Sequence, residues 1–336
     1  MNDVALVAGV SAMTVSRVIN GRSGVSDETR EMVKSVIRDL AYTPNAAARS
    51  LVTSTQLQIG IIYSNPSAAF MSEMLTGMFE EASIHGARLA LLKGENGHPP
   101  TQAELEDFAD SGLSGFILAP PLGESRKVLN VLRPLGLPMA VLGAYDVDDA
   151  QCVRIDNHRA AYEMARHLLD LGHRRLGFVL GNPDQRASAE RMAGFYAAVR
   201  EIGEVEVQVV QGDFSYRSGL AAGEQLLDSP RPPTAIFASN DDMAAAVVSV
   251  AHRRQIDVPG ALTVVGFDDS SAAVTLWPML TTVHQPLRRL ASEALAYVAR
   301  QTALGTEQTG AGADIVLEHG IIYRESTAAI APEDHP

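Results

Sequence analysis

The sequence predicts a small three-helix headpiece joined to a two-lobed α/β body built on doubly wound parallel sheets. Three observations support this. Residues 3–40 carry short apolar stripes at helical spacing, separated by capping residues. From Leu57 onward, short apolar runs alternate with helical patterns, and the series occurs twice. At 336 residues the chain exceeds one comfortable core, so two or three domains are expected.

The headpiece begins with Asp3-Val-Ala-Leu-Val-Ala-Gly-Val-Ser-Ala-Met-Thr-Val-Ser-Arg-Val-Ile-Asn20. Val4, Ala5 and Ala8 form one apolar face, and Val15, Val18 and Ile19 another, with a tight turn at Gly9 between them. Ser11 stands where an N-cap belongs, its hydroxyl able to satisfy free amides of the second helix. A third helix should start at Ser26, with Asp27 and Glu28 at its positive end and Met32, Val33, Val36, Ile37 and Leu40 as its apolar stripe. This is the helix-turn-helix layout, whose second helix lies in the major groove of DNA.

A plain helical hairpin would show the same apolar pattern. The opposite face separates the two readings. Thr14, Ser16, Arg17, Asn20 and Arg22 gather on or just beyond the second helix, and no carboxylate falls between Val4 and Ser26. These are phosphate and base partners. The net charge of −13 is compatible once divided: residues 1–55 hold six Lys/Arg against five Asp/Glu, or +1, leaving −14 for the body. An acidic body limits nonspecific adhesion to DNA, although acidic domains are ordinary.

The chain resembles the lactose/galactose-repressor family. The match is carried by Asp3-Val-Ala, Ala8-Gly-Val-Ser11, Thr14-Val-Ser-Arg-Val-Ile-Asn20, Val25-Ser26, Thr29-Arg30 and Ala41-Tyr-Thr-Pro-Asn-Ala-Ala-Ala-Arg-Ser-Leu51, and continues more loosely to about Tyr323. The resemblance implies a headpiece over 1–44, a hinge helix and linker over 45–56, and an effector-binding and dimerisation domain over 57–330. Its N-lobe is expected at about 57–154 and 286–311, and its C-lobe at about 155–284 and 312–328.

The resemblance makes Ala12 and Met13 the base-reading positions, where many relatives carry a polar residue. Apolar contact, for example with a thymine methyl, is all they offer. Arg17, bidentate to guanine, would then supply most of the hydrogen-bonded readout. Thr14, Ser16 and Asn20 complete the set on this helix. Asn45, Ala48 and Leu51 belong to the hinge helix, which orders beside its dimer mate in the minor groove, with Leu51 as the wedge that kinks the duplex. Read from residues alone, Asn45–Leu51 is a helix too short to be stable by itself, or merely a linker. Met1 falls inside the expected first helix. Either the true start lies upstream, or the headpiece lacks some N-terminal phosphate contacts.

In the body, Ile59–Tyr63, Arg88–Leu92, Gly115–Leu118 and Met139–Leu142 read as the strands of one lobe. Leu176–Leu180, Val205–Val210, Ala235–Ala238 and Leu262–Phe267 read as those of the other. Ligands of such sheets bind beyond the strands' carboxyl ends. Ser64, Asn65 and Phe70 follow the first strand, and Gly181 and then Arg191 follow the first strand of the second series. Phe214, Asn240-Asp-Asp-Met243 and Asp268-Asp269 come after later strands. The resemblance has Arg191, Asn240 and Asp268 hydrogen-bonding the effector and Phe214 packing against it. An amide, a guanidinium and a carboxylate suit vicinal hydroxyls, and an aromatic ring suits a sugar's apolar face.

Plainer roles stay open for these residues. Asp241 and Asp269 also read as helix caps, Phe214 as core, and Arg191 as a surface partner of Glu190 or Glu224. Trp277, in a stretch that crosses between lobes in the family, reads equally as pocket lining or as packing.

Catalysis is disfavoured. The chain has no G-x-S-x-G, Walker lysine motif, H-E-x-x-H or G-x-G-x-x-G, and its nine histidines form no ligand pairs at metal spacing. Neither cofactor nor metal is expected. One cysteine, Cys152, rules out an internal disulfide and suits a reducing compartment. With no apolar span and no signal-peptide pattern, the expected location is the cytoplasm, away from membranes.

Ala313–Leu317 and Gly320–Tyr323 should be the final strands. No leucine heptads follow, which favours a homodimer matched to a palindromic operator in double-stranded DNA. The expectation is therefore a repressor of carbohydrate-utilisation genes, released from its operator by a sugar. Corepression by a nucleobase-like or phosphorylated metabolite is the alternative within this architecture. A stand-alone sugar-binding protein is the rival from another class, and it leaves the headpiece unexplained.

Overall fold

The computed structural model describes residues 2–11, 14, 15, 18, 25–39, 57–95, 98–305 and 312–330. The chain divides into two compact units, Met1–Gln56 and Leu57–Pro336.

In the first unit, helix α1 (Asn2–Val7) ends in a turn through Gly9, whose φ of 63° is the left-handed conformation that glycine adopts without strain. Ser11 then caps the next helical segment: its Oγ accepts the Thr14 N–H at 3.1 Å, and Thr14, Val15 and Val18 are helical. Ser26 Oγ accepts the Thr29 N–H at 3.3 Å at the start of α2 (Asp27–Asp39). Val4, Ala5, Ala8, Val15, Val18 and Val33 form the buried core, with Val10, Val25 and Val36 against it. Met32 departs from expectation and is 44% exposed. So small a core accepts the Val33/Val36 line of the helix and leaves the adjacent row in solvent. Leu40, the Ile19 position and the Ile37 side chain lie outside the described part.

The second unit holds two six-stranded sheets. The first is formed by β1 (Gln58–Tyr63), β2 (Arg88–Lys93), β3 (Gly115–Leu118), β4 (Met139–Leu142) and β5 (Gln151–Ile155), in the order β2-β1-β3-β4-β5. The second repeats this order with β6 (Arg175–Leu180), β7 (Glu206–Gln211), β8 (Ala235–Ala238), β9 (Thr263–Asp268) and β10 (Thr281–His284). These ten strands pair in parallel, as the doubly wound reading requires. Central strands β3, β4 and β8 are buried along their whole length, which is why they read as unbroken apolar runs. Edge strands β2 and β7 are partly exposed.

Helices α3 (Ala68–His85), α4 (Gln102–Ala109) and α5 (Arg126–Leu132) connect the first sheet. In the second lobe come α6 (Asn157–Asp170), α7 (Arg186–Ile202), α8 (Tyr216–Leu227), α9 (Asp241–Arg253) and the short α10 (Ser271–Val274). Helix α11 (Leu287–Leu304) returns to pack on α3 and the first sheet. One apolar core includes Ile59, Met78 and Leu295 of the first lobe and Phe178, Phe195 and Phe237 of the second. Phe178 lies 4.8 Å from Phe195 and 5.4 Å from Phe237 between ring centroids. Burial of each ring is worth roughly 1.5–3 kcal/mol.

The chain crosses between lobes three times. The first crossing follows β5, and the second follows β10 at Gln285–Pro286, at the end of the stretch that holds Trp277. The third falls later than the expected residue 312. Strand β11 (Ile315–Leu317) adds in parallel to β5 of the first sheet, and only β12 (Gly320–Ile322) joins the second, antiparallel to β10. The pairing is reinforced beside β11, where Arg154 Nε meets Asp314 Oδ2 at 2.7 Å.

Candidate functional site

The carboxyl ends of strands from both sheets converge on one cleft between the lobes. It encloses about 570 Å³, counting the open solvent at its mouth. From the first lobe come Asn65 and Ser67 after β1, Phe70 and Met74 of α3, Leu142, and Arg154 of β5. From the second come Gln185, Arg191, Phe214, Asn240 and Asp268, while Asn157 and Gln285 stand at the two crossings. Of the residues expected to meet an effector, Phe70, Arg191, Phe214, Asn240 and Asp268 therefore share one cavity. Ser64 does not line it. Its side chain is buried one residue too early, and Asn65 reaches the wall instead.

Arg191 is 5% exposed, which rules out the surface-pair reading; Glu190 pairs with Arg186, and Glu224 with Arg253 and Arg254. The Arg191 guanidinium sits 3.6 Å above the Phe267 ring. It donates from Nε to Asn157 Oδ1 at 2.9 Å and from Nη1 to the Ser239 carbonyl. Burial alone lowers its pKa, and the carboxylate of Asp268 opposes that shift. Asp268 is 4% exposed and accepts from Gln285 Nε2 at 2.6 Å. Burial holds its carboxyl well above the ordinary range, Arg191 pulls it down, and neighbouring Asp241 pushes it up again.

Two backbone positions here are strained. Phe214 has φ 72° and Asp268 φ 117°, conformations that non-glycine residues avoid and that persist where the surroundings over-determine them. Phe214 answers to both of its readings, since it lines the cleft and belongs to the second-lobe core. A side-chain carbon on Gly181 would overlap its ring, so only glycine fits at the end of β6.

Asn240 lines the cleft, but both ends of its amide are engaged. Oδ1 accepts the Met243 N–H at 3.0 Å as the cap of α9, and Nδ2 donates to the Phe214 carbonyl at 2.9 Å. The cap is thus Asn240 and not Asp241. Asp241, fully buried, accepts from Thr282 Oγ1 at 2.6 Å and from the Ser270 N–H at 2.8 Å, and burial pushes its pKa up to about 7. Asp269 is not a cap either; it pairs with Arg324 and His284. Asp242 accepts a hydrogen bond from Ser67 Oγ across the cleft.

Arg154, Asn157, Gln185 and Gln285 are among the lining residues that were not anticipated. Gln185 stands out because its Nε2 is buried without a hydrogen-bond partner, leaving a donor at the cleft wall. Trp277 neither lines the cleft nor packs inside. It is 72% exposed, over a surface groove shared with Tyr216 and His252.

In the headpiece, Thr14 is the one expected DNA contact within the described residues. It is half-buried, and its hydroxyl is 2.9 Å from Ser11 Oγ, so it supports the cap. Ala12, Met13, Ser16, Arg17, Asn20, Asn45, Ala48 and Leu51 lie outside the described residues. Among the described residues, no helix is long and apolar enough to cross a membrane.

Residues 1–45 match the bacterial regulatory proteins of the lacI family, and residues 165–327 match the periplasmic binding protein-like domain. The chain is 30% identical over 329 residues to catabolite control protein A of Priestia megaterium, covering 97% of this chain and 98% of that protein. Among solved structures it is similar to the transcriptional regulator CelR in complex with cellobiose, at 30% identity and TM-score 0.72, over 96% of this chain and 98% of the other. It is also similar to the lac repressor dimer bound to operator and the anti-inducer ONPF, at 26% identity and TM-score 0.83, over 97% and 98%. A capped helix-turn-helix unit, two doubly wound lobes around one cleft and full-length similarity agree: the chain belongs to the lacI family, whose members are DNA-binding transcriptional regulators and not enzymes.

Proposed function

We propose that this regulator is a homodimeric repressor released from a palindromic operator by a small sugar held in the cleft. The observation that carries the reading is the buried Arg191 and Asp268 beside Phe214 in one cavity. A neutral ligand rich in hydroxyls suits that set, because each hydroxyl both donates and accepts. Gln185 adds a donor without a protein partner. Residues 1–44 would read DNA, with Arg17 on guanine. Residues 45–56 would form the hinge helix, whose marginal stability responds to changes in lobe arrangement. Coupling runs both ways, so the operator complex binds an inducing sugar less tightly than the free protein does.

The dimer reading draws on exposed apolar side chains. Phe79 and Ile84 of α3 and Leu91 of edge strand β2 lie on the first lobe, and Tyr216, Val274 and Trp277 on the second. Such surfaces on a folded body are those a second copy would cover. A second reading, corepression by a planar nucleobase-like ligand, has one observation in its favour: each lobe contributes an aromatic ring, Phe70 and Phe214, to the cleft.

Fluorescence anisotropy on a palindromic site from beside the gene, with and without a panel of sugars and nucleobases, separates these readings. Release of specific DNA by a sugar is the expected result. Tightening by a nucleobase would establish the corepressor instead, and an operator affinity that no compound alters would refute both.

A further inference from the structure

A chain of polar contacts runs from the first lobe to Arg191 and links cleft chemistry to lobe closure. Tyr145, in the segment after β4, accepts from Asn157 Nδ2 at 2.9 Å. Asn157, buried at the first crossing, accepts on Oδ1 from Arg191 Nε at the same distance. An amide can face these two partners in one orientation only, because its oxygen accepts and its nitrogen donates. The phenol is in turn held from both lobes. The guanidinium of Arg154 lies 4.3 Å from the ring centroid, and that of Arg186, from the second lobe, 4.8 Å. Arg186 Nη1 reaches Asp146 of the first lobe at 2.7 Å, and its backbone N–H donates to Glu124 Oε2 at 3.0 Å. Parting the lobes would break these contacts together. Exposed ion pairs such as Arg186–Asp146 contribute little by themselves, so the buried Asn157 link is the part that orients Arg191.

We infer that Tyr145 and Asn157 are positioning residues: Tyr145, reaching from the first lobe, fixes the Asn157 amide that holds Arg191 in its cleft-facing pose, so that effector grip and closure are coupled. This rests on the reading above that Arg191 meets the effector.

The test uses the full chain with nitroxide labels at Asn130→Cys on α5 and Arg200→Cys on α7, both exposed positions, and reads the interlobe distance distribution by pulsed electron resonance without added small molecule. Tyr145→Phe, which removes one acceptor, should raise the open-to-closed ratio about fivefold, the scale of one hydrogen bond. Asn157→Leu should open the lobes further. Asn157→Asp should restore the closed distribution, since one carboxylate oxygen still accepts from Arg191 and the other accepts from the Tyr145 hydroxyl. If Tyr145→Phe leaves the distribution unchanged, or Asn157→Asp opens as far as Asn157→Leu, the inference is overturned. If Asn157→Leu fails to fold, the Tyr145→Phe arm decides alone. A sugar titration of Arg191→Ala tests the effector reading separately, so the two can fail independently.

Discussion

The two lobes share one scaffold and differ in what they place at its carboxyl edge. Strand order β2-β1-β3-β4-β5 in the first is repeated as β7-β6-β8-β9-β10 in the second. Yet the first lobe lines the cleft with Phe70, Met74, Leu142 and Asn65, and its one lining charge, Arg154, is paired with Asp314. The second contributes buried Arg191 and Asp268, with Asp241 fully buried behind them, and strained backbone at Phe214 and Asp268. The comparison teaches a division of labour: the second lobe grips and the first covers. Fold alone does not decide which edge of a doubly wound sheet carries chemistry; the residues after each strand do.

Arg191→Met should break the gripping lobe most severely. Asp268 would lose its neighbouring cation, and buried charge pairs broken on one side cost about 3–5 kcal/mol. Uptake of a proton by Asp268, whose pKa burial already raises, limits the loss at low pH, so the deficit in urea denaturation should grow as the pH is raised. Gly181→Ala comes next. Its methyl would displace the Phe214 ring, and overpacking of this kind costs about 1–3 kcal/mol, measurable as a lower urea midpoint with an unchanged slope.

A third effect is one of pH dependence. Asp241 has a folded-state pKa of about 7 against an ordinary 3.8. The folded protein therefore binds the extra proton, and this contribution to stability is complete below about pH 4 and lost as the pH rises through 7. Melting curves from pH 4 to 8 should fall more steeply with pH in the wild type than in Asp241→Asn; parallel curves would contradict the assignment.

Much of this division was legible in the sequence, and the two missed strands share one cause. Strands β3, β4 and β8, covered on both faces, announce themselves as apolar runs, and Arg191, Phe214 and Asp268 were found by resemblance and by their places after strands. Strands β5 and β10 were missed because their polar residues are satisfied by segments far along the chain. Gln151 Nε2 donates to the Ala313 carbonyl at 2.9 Å, Arg154 meets Asp314, and Thr282 donates to Asp241. Such partners leave no local periodicity to read. Losing those two strands lost the residues that follow them, Asn157 and Gln285, and with Asn157 the link from Tyr145 to Arg191. Ser64 failed for a different reason: a one-residue shift at a strand end exchanges the residue facing the cleft for its neighbour.

The division between gripping and covering lobes is tested most directly by calorimetric titration of the sugar that releases the operator into wild type, Arg191→Ala and Phe70→Ala. The account predicts an affinity loss on the order of a hundredfold or more for Arg191→Ala, as expected for a desolvated charged contact, and about tenfold for Phe70→Ala, as expected for one covering ring. Equal losses, or a larger loss at Phe70, would contradict it.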